Sequence, residues 1–432
     1  MRLLFFADTF LPILCISMLT LSACKKPSVV QDSPMLVNTE HLDHLFEKAI
    51  DANGDTVGII HIYSEAPDYQ WIGDSDEGIA CVDDAARAAI FYLRNYHYTG
   101  LDASREKAKS LLGFLLAMQA SNGYFYNFIF ADHTINRDGI TSRAEPNWWS
   151  WRALWAIGEA LTVLDRNEAL FDRLITSRKE LKEAILRDFP VSEDLKKGNI
   201  SGVEVPLWMP DGSAVDQTAL MVLGLSPILE DEETPQLERL VRSLLEGMTL
   251  MQISNQQKFP HGAFFSWQNT WHAYGNSQAY TLLHVAGKFN DLDLRKHALE
   301  EIDVFYPEWL RRNGPSHFTI EIRDGELQVI DLSIFPQIAY NLRPIIWSCL
   351  EAARITGEIR YLEMAQEVGD WFSGDNIAEA VMYDIDSGRG YDGINSEDVV
   401  NWNAGAESTI EALLALQELF YFDKSEDAPW QK

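Results

Sequence analysis

Polar and aromatic residues able to bind a ligand or move a proton gather at six places in this 432-residue chain, each at the start of a strongly apolar run, and four of the six carry acids. The first is Gly78-Ile79-Ala80-Cys81-Val82-Asp83-Asp84-Ala85-Ala86-Arg87. Adjacent acids point to different sides of a helix, so Asp83 and Asp84 cannot face one cavity equally. Arg87 lies four and three residues on, within reach of either. Acids in a first turn also stabilise the helix dipole, so capping competes with a cavity-facing role. The second place, Ser142 to Arg152, carries Glu145 before Pro146, then Trp148, Trp149 and Trp151. Core packing accounts for two of those three indoles; a sugar, whose C–H faces lie on indole rings, accounts for the rest. Glu145 also suits a helix cap.

The third place, Trp208 to Gln217, puts Asp216 and Gln217 in the first turn of an apolar helix. That position is costly without a partner or a solvent-filled cavity. The fourth holds His261 to Trp267, then Trp271-His272-Ala273-Tyr274-Gly275-Asn276, and the fifth holds Tyr340, Asn341 and Arg343. The sixth is Asn401-Trp402-Asn403-Ala404-Gly405-Ala406-Glu407, with Glu411 one turn deeper. The small residues behind Glu407 leave room for a ligand. A structural network closing the sixth helix onto the first fits the same residues.

Repetition supplies the elements that hold these groups. Met118-Gln119-Ala120-Ser121-Asn122 returns as Met251-Gln252-Ile253-Ser254-Asn255, and half of that offset is a unit of about 66 residues. Six helices apolar on nearly every face begin near Asp83, Trp148, Ala214, Tyr274, Asn341 and Asn403, and such helices belong inside a large core. Helices with one apolar stripe lie between them: Arg105 to Gln119, Glu168 to Arg187, Leu237 to Met251, Leu292 to Leu310 and Ile359 to Phe372. A helix over His41 to Asp51 completes the second set. The pattern predicts an all-α fold, an (α/α)6 toroid of six helical hairpins with inner helices lining an axis. A small β-hairpin insertion is expected near 318–330, around Asp324-Gly325, and a short strand over Thr56 to Tyr63. One ring uses most of the chain, so residues 38–432 read as a single domain, although length alone suggests two or three.

The repeat resembles the six-hairpin glycosidase superfamily across nearly all of the mature chain. More narrowly, Cys81-Val82-Asp83-Asp84-Ala85-Ala86-Arg87-Ala88, Arg152-Ala153-Leu154-Trp155-Ala156-Ile157-Gly158 and Asn403-Ala404-Gly405-Ala406-Glu407-Ser408-Thr409-Ile410-Glu411 resemble a bacterial group of predicted carbohydrate-active proteins. Some members of that group are joined to glycosyltransferases. The resemblance implies action on carbohydrate. Unsaturated-glycuronyl hydrolases of this fold use acids from neighbouring hairpins, a layout that Asp84 with Glu145 matches.

Glycoside hydrolysis is the leading expectation. It needs one protonated carboxyl and a second carboxylate that activates water or attacks the sugar. Asp84 and Glu145 are the preferred pair, with Asp83, Asp216 and Glu407 in reserve, and inversion is expected by analogy of fold. Trp148, Trp149, Trp151 and Trp271 are the expected sugar platforms. Arg87, Arg152 and Asn403 would orient carboxylates or hydroxyls, and Gln217 would add a polar contact. A polysaccharide lyase would draw on His272, Tyr274, Asn276 and Arg343, and a sugar epimerase on His261 and His272. A non-catalytic glycan-binding lipoprotein is the reading outside enzymes.

Composition bounds these choices. The formal charge of −30 argues against nucleic acid and disfavours polyanionic substrates, while 47% apolar residues exclude a disordered chain. Residues 1–23 read as a secretory signal peptide ending in Leu21-Ser22-Ala23-Cys24, similar to a lipobox whose cysteine is acylated. Residues 24–37 then form a lipid-anchored tether, and the protein is expected in the cell envelope, on an outer membrane facing the periplasm where one exists. Cys81 and Cys349 are expected as buried free thiols. Scattered histidines and the absence of a cysteine cluster point to no metal and no cofactor.

Overall fold

The computed structural model describes residues 37–51, 54–189, 195–231, 234–422, Lys424 and Trp430. The expected signal peptide, Cys24 and all of the expected tether but Val37 lie outside the described residues. From Leu36 to Lys432 the chain forms one compact unit.

Among the described residues there are thirteen α-helices. Six form an inner ring: α2 (Val82–Thr99), α4 (Trp148–Val163), α6 (Val215–Asp231), α8 (Gln278–Phe289), α11 (Ala339–Thr356) and α13 (Ala406–Phe420). Each packs on the next, and α13 returns to α2 to close the circle. Their burial explains the all-round apolar sequence. Ala85, Ala86, Ala88 and Ala89 of α2 are all fully buried, and side chains this small let neighbouring helices approach. The outer helices α3 (Asp102–Ala117), α5 (Ala169–Asp188), α7 (Pro235–Leu250), α9 (Leu292–Glu300), α10 (Tyr306–Arg311) and α12 (Ile359–Gly369) bury one stripe instead. In α7 that stripe is Leu237, Leu240, Val241, Leu244, Leu245 and Met248, the expected i, i+3, i+4 set. A π-helical turn, Glu301–Phe305, joins α9 to α10, so the long helix expected there is continuous but locally widened.

The inner helices run parallel. Arg87 near the start of α2 reaches Glu407 and Glu411 near the start of α13, and Arg94, two turns later, reaches Glu418, two turns later in α13. Start meets start around the rest of the ring as well: Arg152 of α4 pairs with Asp83, Trp151 with Gln217 of α6, Thr281 of α8 with Ala219, and Arg343 of α11 with Glu411, so all six N-termini gather on one face. None of the described helices is long and apolar enough to cross a membrane.

One expected helix is mostly absent. His41 to Asp51 becomes a six-residue helix α1 (Glu40–Leu45) followed by a strand, Phe46–Ile50, paired antiparallel with Thr56–Ile60. The sequence between the strands contains Asn53-Gly54, a strong hairpin signal that the apolar periodicity concealed. The expected insertion near 318–330 is present as His317–Arg323 and Glu326–Ser333, with positive φ at Asp324 and Gly325 in the turn. A third strand, Thr270–His272, pairs with His317–Thr319 and thereby fixes the loop that leads into α8.

Candidate active site

Every inner helix sends a polar or aromatic side chain to the N-terminal face. At α2, Cys81 is the N-cap: its Sγ accepts the Asp84 N–H at 3.4 Å and its thiol donates to Asp84 Oδ2 at 3.2 Å. Arg87 donates to Asp84 Oδ1 (2.6 Å), Glu407 Oε2 (3.0 Å) and Glu411 Oε1 (3.0 Å). Arg343 of α11 donates to Glu411 Oε2 at 2.6 Å. This is the network closing the sixth inner helix onto the first. Burial pushes the Glu411 carboxyl up, but Arg343 and Arg87 outweigh it and hold it below the usual range. At Asp84 burial prevails over Arg87, so its carboxyl holds a proton more readily than a free aspartate.

Arg152 of α4 joins this cluster to α11. It pairs with Asp83 at 2.7 Å, an ion pair without hydrogen-bond alignment, and donates to the Tyr340 hydroxyl at 2.8 Å. The guanidinium carbons of Arg87, Arg152 and Arg343 stand 5.3, 5.3 and 5.4 Å from the Tyr340 ring centre, each within cation–π range. Tyr340 is the hub around which the three arginines are packed.

The other wall is a histidine–aspartate pair. His272 Nδ1 lies 2.8 Å from the Tyr274 carbonyl oxygen, and Nε2 lies 3.0 Å from Asp216 Oδ2. A carbonyl only accepts, which assigns a proton to Nδ1. That leaves Nε2 facing the Asp216 carboxyl at an ion-pair distance without hydrogen-bond alignment. The imidazole stacks on the Tyr274 ring at 3.7 Å and 7°. The Tyr274 ring centre lies 6.4 Å from that of Tyr340, so this ring stands between the two walls. Burial raises the Tyr274 phenol, and so do the charges of Asp216, Tyr340 and Glu407. Gly275 has φ 69°, and a Cβ there would meet Tyr340 Oη at 2.9 Å and the Trp148 ring at 3.3 Å. Only glycine allows the α8 loop that close to α4 and α11.

Asp83, Asp84, Arg87, Arg152, Asp216, His272, Tyr274, Arg343 and Glu407 thus share one site, with the half-buried Trp148 beside Arg152. Other expected residues do different work. Trp149 is buried and donates to the Phe125 carbonyl (2.7 Å), and Trp151 is buried and donates to Gln217 Oε1 (3.1 Å), tying α4 to α6. Trp271 is fully buried and stacks on Phe318 at 4.9 Å. These three indoles are core, not sugar platforms, because no face of them reaches solvent. Asn403 accepts the Ala66 N–H at 3.0 Å and fixes a loop, and Asn276 is fully buried. His261 is held by Asn255 and Glu300, on the loop after α7, and does not join His272. Glu145 is exposed, and among the described residues its carboxylate has no hydrogen-bond or ion-pair partner.

The sequence places Tyr340 at the fifth entrance, three positions before Arg343, but gives it no role, and nothing in it marks Gly275 as a point of close approach. Cys81 and Cys349 are buried free thiols, as expected. No group of three or more His, Cys, Asp or Glu among the described residues is arranged to hold a metal ion.

No protein-family model and no curated protein sequence matches the chain. Solved structures do. A D-mannose isomerase aligns over 88% of this chain and 95% of its own, with a TM-score of 0.62 and 12% identity. A sugar epimerase from a ruminal bacterium aligns over the same shares, with a TM-score of 0.59 and 9% identity. A family 76 glycoside hydrolase from a bovine Bacteroides thetaiotaomicron strain covers 84% of this chain and 75% of its own, with a TM-score of 0.51 and 11% identity. At these identities the likeness is one of fold, and the fold is the (α/α)6 toroid that the six-unit repeat implies.

Proposed function

We propose that the protein is a carbohydrate-active enzyme that moves a proton at a sugar carbon, as an epimerase or aldose–ketose isomerase, with His272 and Asp216 as its acid–base pair. One observation carries this reading: His272 and Asp216 set an imidazole and a carboxyl 3.0 Å apart at the mouth of the ring, with Nδ1 of the imidazole held by the Tyr274 carbonyl, the arrangement of an acid–base pair. Hydrolysis, the leading expectation from sequence, takes second place.

The chemistry runs on residues already placed. In its protonated form the His272–Asp216 pair gives a proton to the ring oxygen as the hemiacetal opens, while Glu407, half exposed, takes the proton from O1. The neutral imidazole then removes the proton on C2, which the new carbonyl has acidified. Protonated Glu407 gives its proton to O1 and takes the one on O2, and return of the carbon-bound proton to C1 then gives the ketose. Delivery to the opposite face of C2 by protonated Glu407 gives the epimer. Arg152 and Tyr340 supply donors for the developing enediolate oxygen. Structures named as sugar epimerases or isomerases share this fold over 95% of their own length, which agrees with the reading.

The substrate is neutral on this reading. Arg87, Arg152 and Arg343 are each matched by carboxylates, so none of the three stands ready to neutralise the uronate that a lyase requires. Hydrolysis is favoured by one observation, that Asp84, with its raised carboxyl, and Glu407 flank Arg87 as an acid and a base would. Incubation with glucose, mannose, cellobiose and mannobiose in D2O separates the two. Deuterium at C2, lost in His272→Ala, supports proton transfer; new reducing ends without deuterium support hydrolysis instead.

We infer also that Cys24 carries a lipid and holds the enzyme at the cell envelope, supported by the Leu21-Ser22-Ala23-Cys24 run. The mass of the mature N-terminal peptide tests this, and an unmodified or retained Cys24 peptide overturns it.

A further inference from the structure

Large aromatic side chains that stay exposed are not scattered over this ring. Among the described residues they are Tyr63, Trp71, Trp267, Tyr274, Trp402 and Phe420, and all but Phe420 lie on segments leading into inner helices. Tyr274 belongs to the α8 wall. Tyr63 and Trp402 belong to the opposite side, where α13 meets α2.

The local geometry places that second pair. Ala404 and Ala406 donate their backbone N–H groups to the carbonyls of Ser64 and Ile62 at 3.0 and 2.9 Å. The strand Tyr63–Glu65 therefore lies against the last residues before Glu407. Tyr63 sits opposite Ile72 in its hairpin, so both share one face, and they are 44% and 40% exposed, whereas Ser64 on the other face is buried. Trp402, 46% exposed, stands two residues before Ala404 with its ring edge-on to Tyr391 at 4.9 Å. Ile62, next to Tyr63, donates its N–H to the Ile79 carbonyl at 3.0 Å, which sets the strand beside the acidic loop of Asp74, Asp76 and Glu77. Burial raises the Tyr63 phenol to about 12, and the charges of Glu77 and Asp74 add to it. Flat aromatic faces next to carboxylate acceptors suit the C–H faces and hydroxyls of a pyranose.

We infer that the pocket continues over its rim into a subsite built by Tyr63 and Trp402 that holds a neighbouring pyranose, so that the substrate is a neutral disaccharide or longer glycan and not a free monosaccharide. This rests on the sugar-enzyme reading above, and it adds the length of the substrate.

The test uses the full chain and three variants, Tyr63→Ala, Trp402→Ala and the double substitution, with thermal melts to establish that each folds. Glucose, cellobiose and cellotriose, and mannose, mannobiose and mannotriose, are followed for deuterium incorporation and for reducing ends. The expected result is a KM about tenfold or more lower for the disaccharide than for the monosaccharide in one series. In the double variant the disaccharide KM rises to the monosaccharide value. Equal KM values in the wild type, or a length preference that survives the double substitution, overturn the subsite and leave the sugar-enzyme reading standing. Absence of turnover in both series overturns the two together.

Discussion

Arg87 and Arg94 on α2, Arg152 and Glu159 on α4, and Glu411 and Glu418 on α13 are each seven residues apart. Each of these helices thus sends one charged side chain to the N-terminal mouth of the ring and another two turns deeper. The deep cluster is sealed. Arg94 donates to both oxygens of Glu159 (2.6 and 3.0 Å) and to Glu418 (2.9 Å), and its guanidinium lies over Trp347 at 4.3 Å and Trp430 at 4.9 Å. The cavity beside it, lined by Glu159, His284 and Trp430, holds about 40 Å3, room for a few waters but not for a sugar. The upper cluster uses the same chemistry but keeps Glu407 and Tyr274 about half exposed. A saturated ion cluster fixes packing, whereas one with free acceptor capacity and an open side can bind and react. Access, not residue type, separates structure from function here.

The largest expected effect tests that separation directly. Arg94→Met leaves Glu159 and Glu418 buried without a cation, and should cost about 3–5 kcal/mol in urea unfolding while activity per folded molecule is retained. Arg87→Met should cost less stability, because Glu411 keeps Arg343 and Glu407 can hydrate, yet abolish turnover. Equal stability losses in the two variants would erase the distinction between the mouths.

A third buried acid shows what the arginines prevent. Glu301 is fully buried in the π-helical turn and, among the described residues, accepts only the Phe264 N–H (3.0 Å) and the Tyr306 hydroxyl (3.3 Å). Burial pushes its carboxyl up to about 8. Between the ordinary glutamate value and that point the folded state binds more protons than the unfolded one. Stability therefore falls as pH rises, by up to about 1.4 kcal/mol per pH unit, and levels off above pH 8. Glu301→Gln should remove that part of the slope in melts between pH 5 and 9. An unchanged slope would mean that the carboxyl is ionised in the fold.

The seal itself carries a smaller effect. Trp430 is buried against Arg94 and edge-on to His97 at 5.1 Å. Trp430→Ala should lose about 1–2 kcal/mol by thermal unfolding, through the cation–π contact and lost burial. If it also changes turnover, the two ends of the ring are coupled.

Much of this was legible in the chain. All-round apolar runs located the six inner helices to within about four residues, because a helix inside a ring has no polar face to hide. The β-elements leading into them were harder. Phe46–Ile50 is too short for periodicity to separate strand from helix, and the hairpin Tyr63–Glu65 with Gln70–Ile72 gave no signal. At the site, the first-turn acids and arginines were visible because charge inside an apolar run needs a partner. What sequence could not supply was direction. Trp148, Trp149 and Trp151 share one turn, yet two face the core; Trp271 looked like a platform and is sealed against Phe318. Tyr340 became the hub only once three arginines from three helices met around it.

Glu145 brings the comparison of exposure and partnership to its finest point. It shares the α4 entrance with Trp148 and Arg152, but it is exposed and unpartnered among the described residues, whereas Glu407 is held by Arg87. A proton-transfer residue must be held within reach of its substrate, and fixed geometry is what Glu145 lacks. Glu145→Gln should therefore change kcat by less than about twofold, while Glu407→Gln lowers it about 100-fold or more. Both are measured on the sugar that exchanges deuterium. A loss in Glu145→Gln equal to that in Glu407→Gln would mean that substrate draws the exposed carboxylate inward. Acids on neighbouring hairpins would then act as a pair, as in the Asp84–Glu145 layout, and hydrolysis would regain first place.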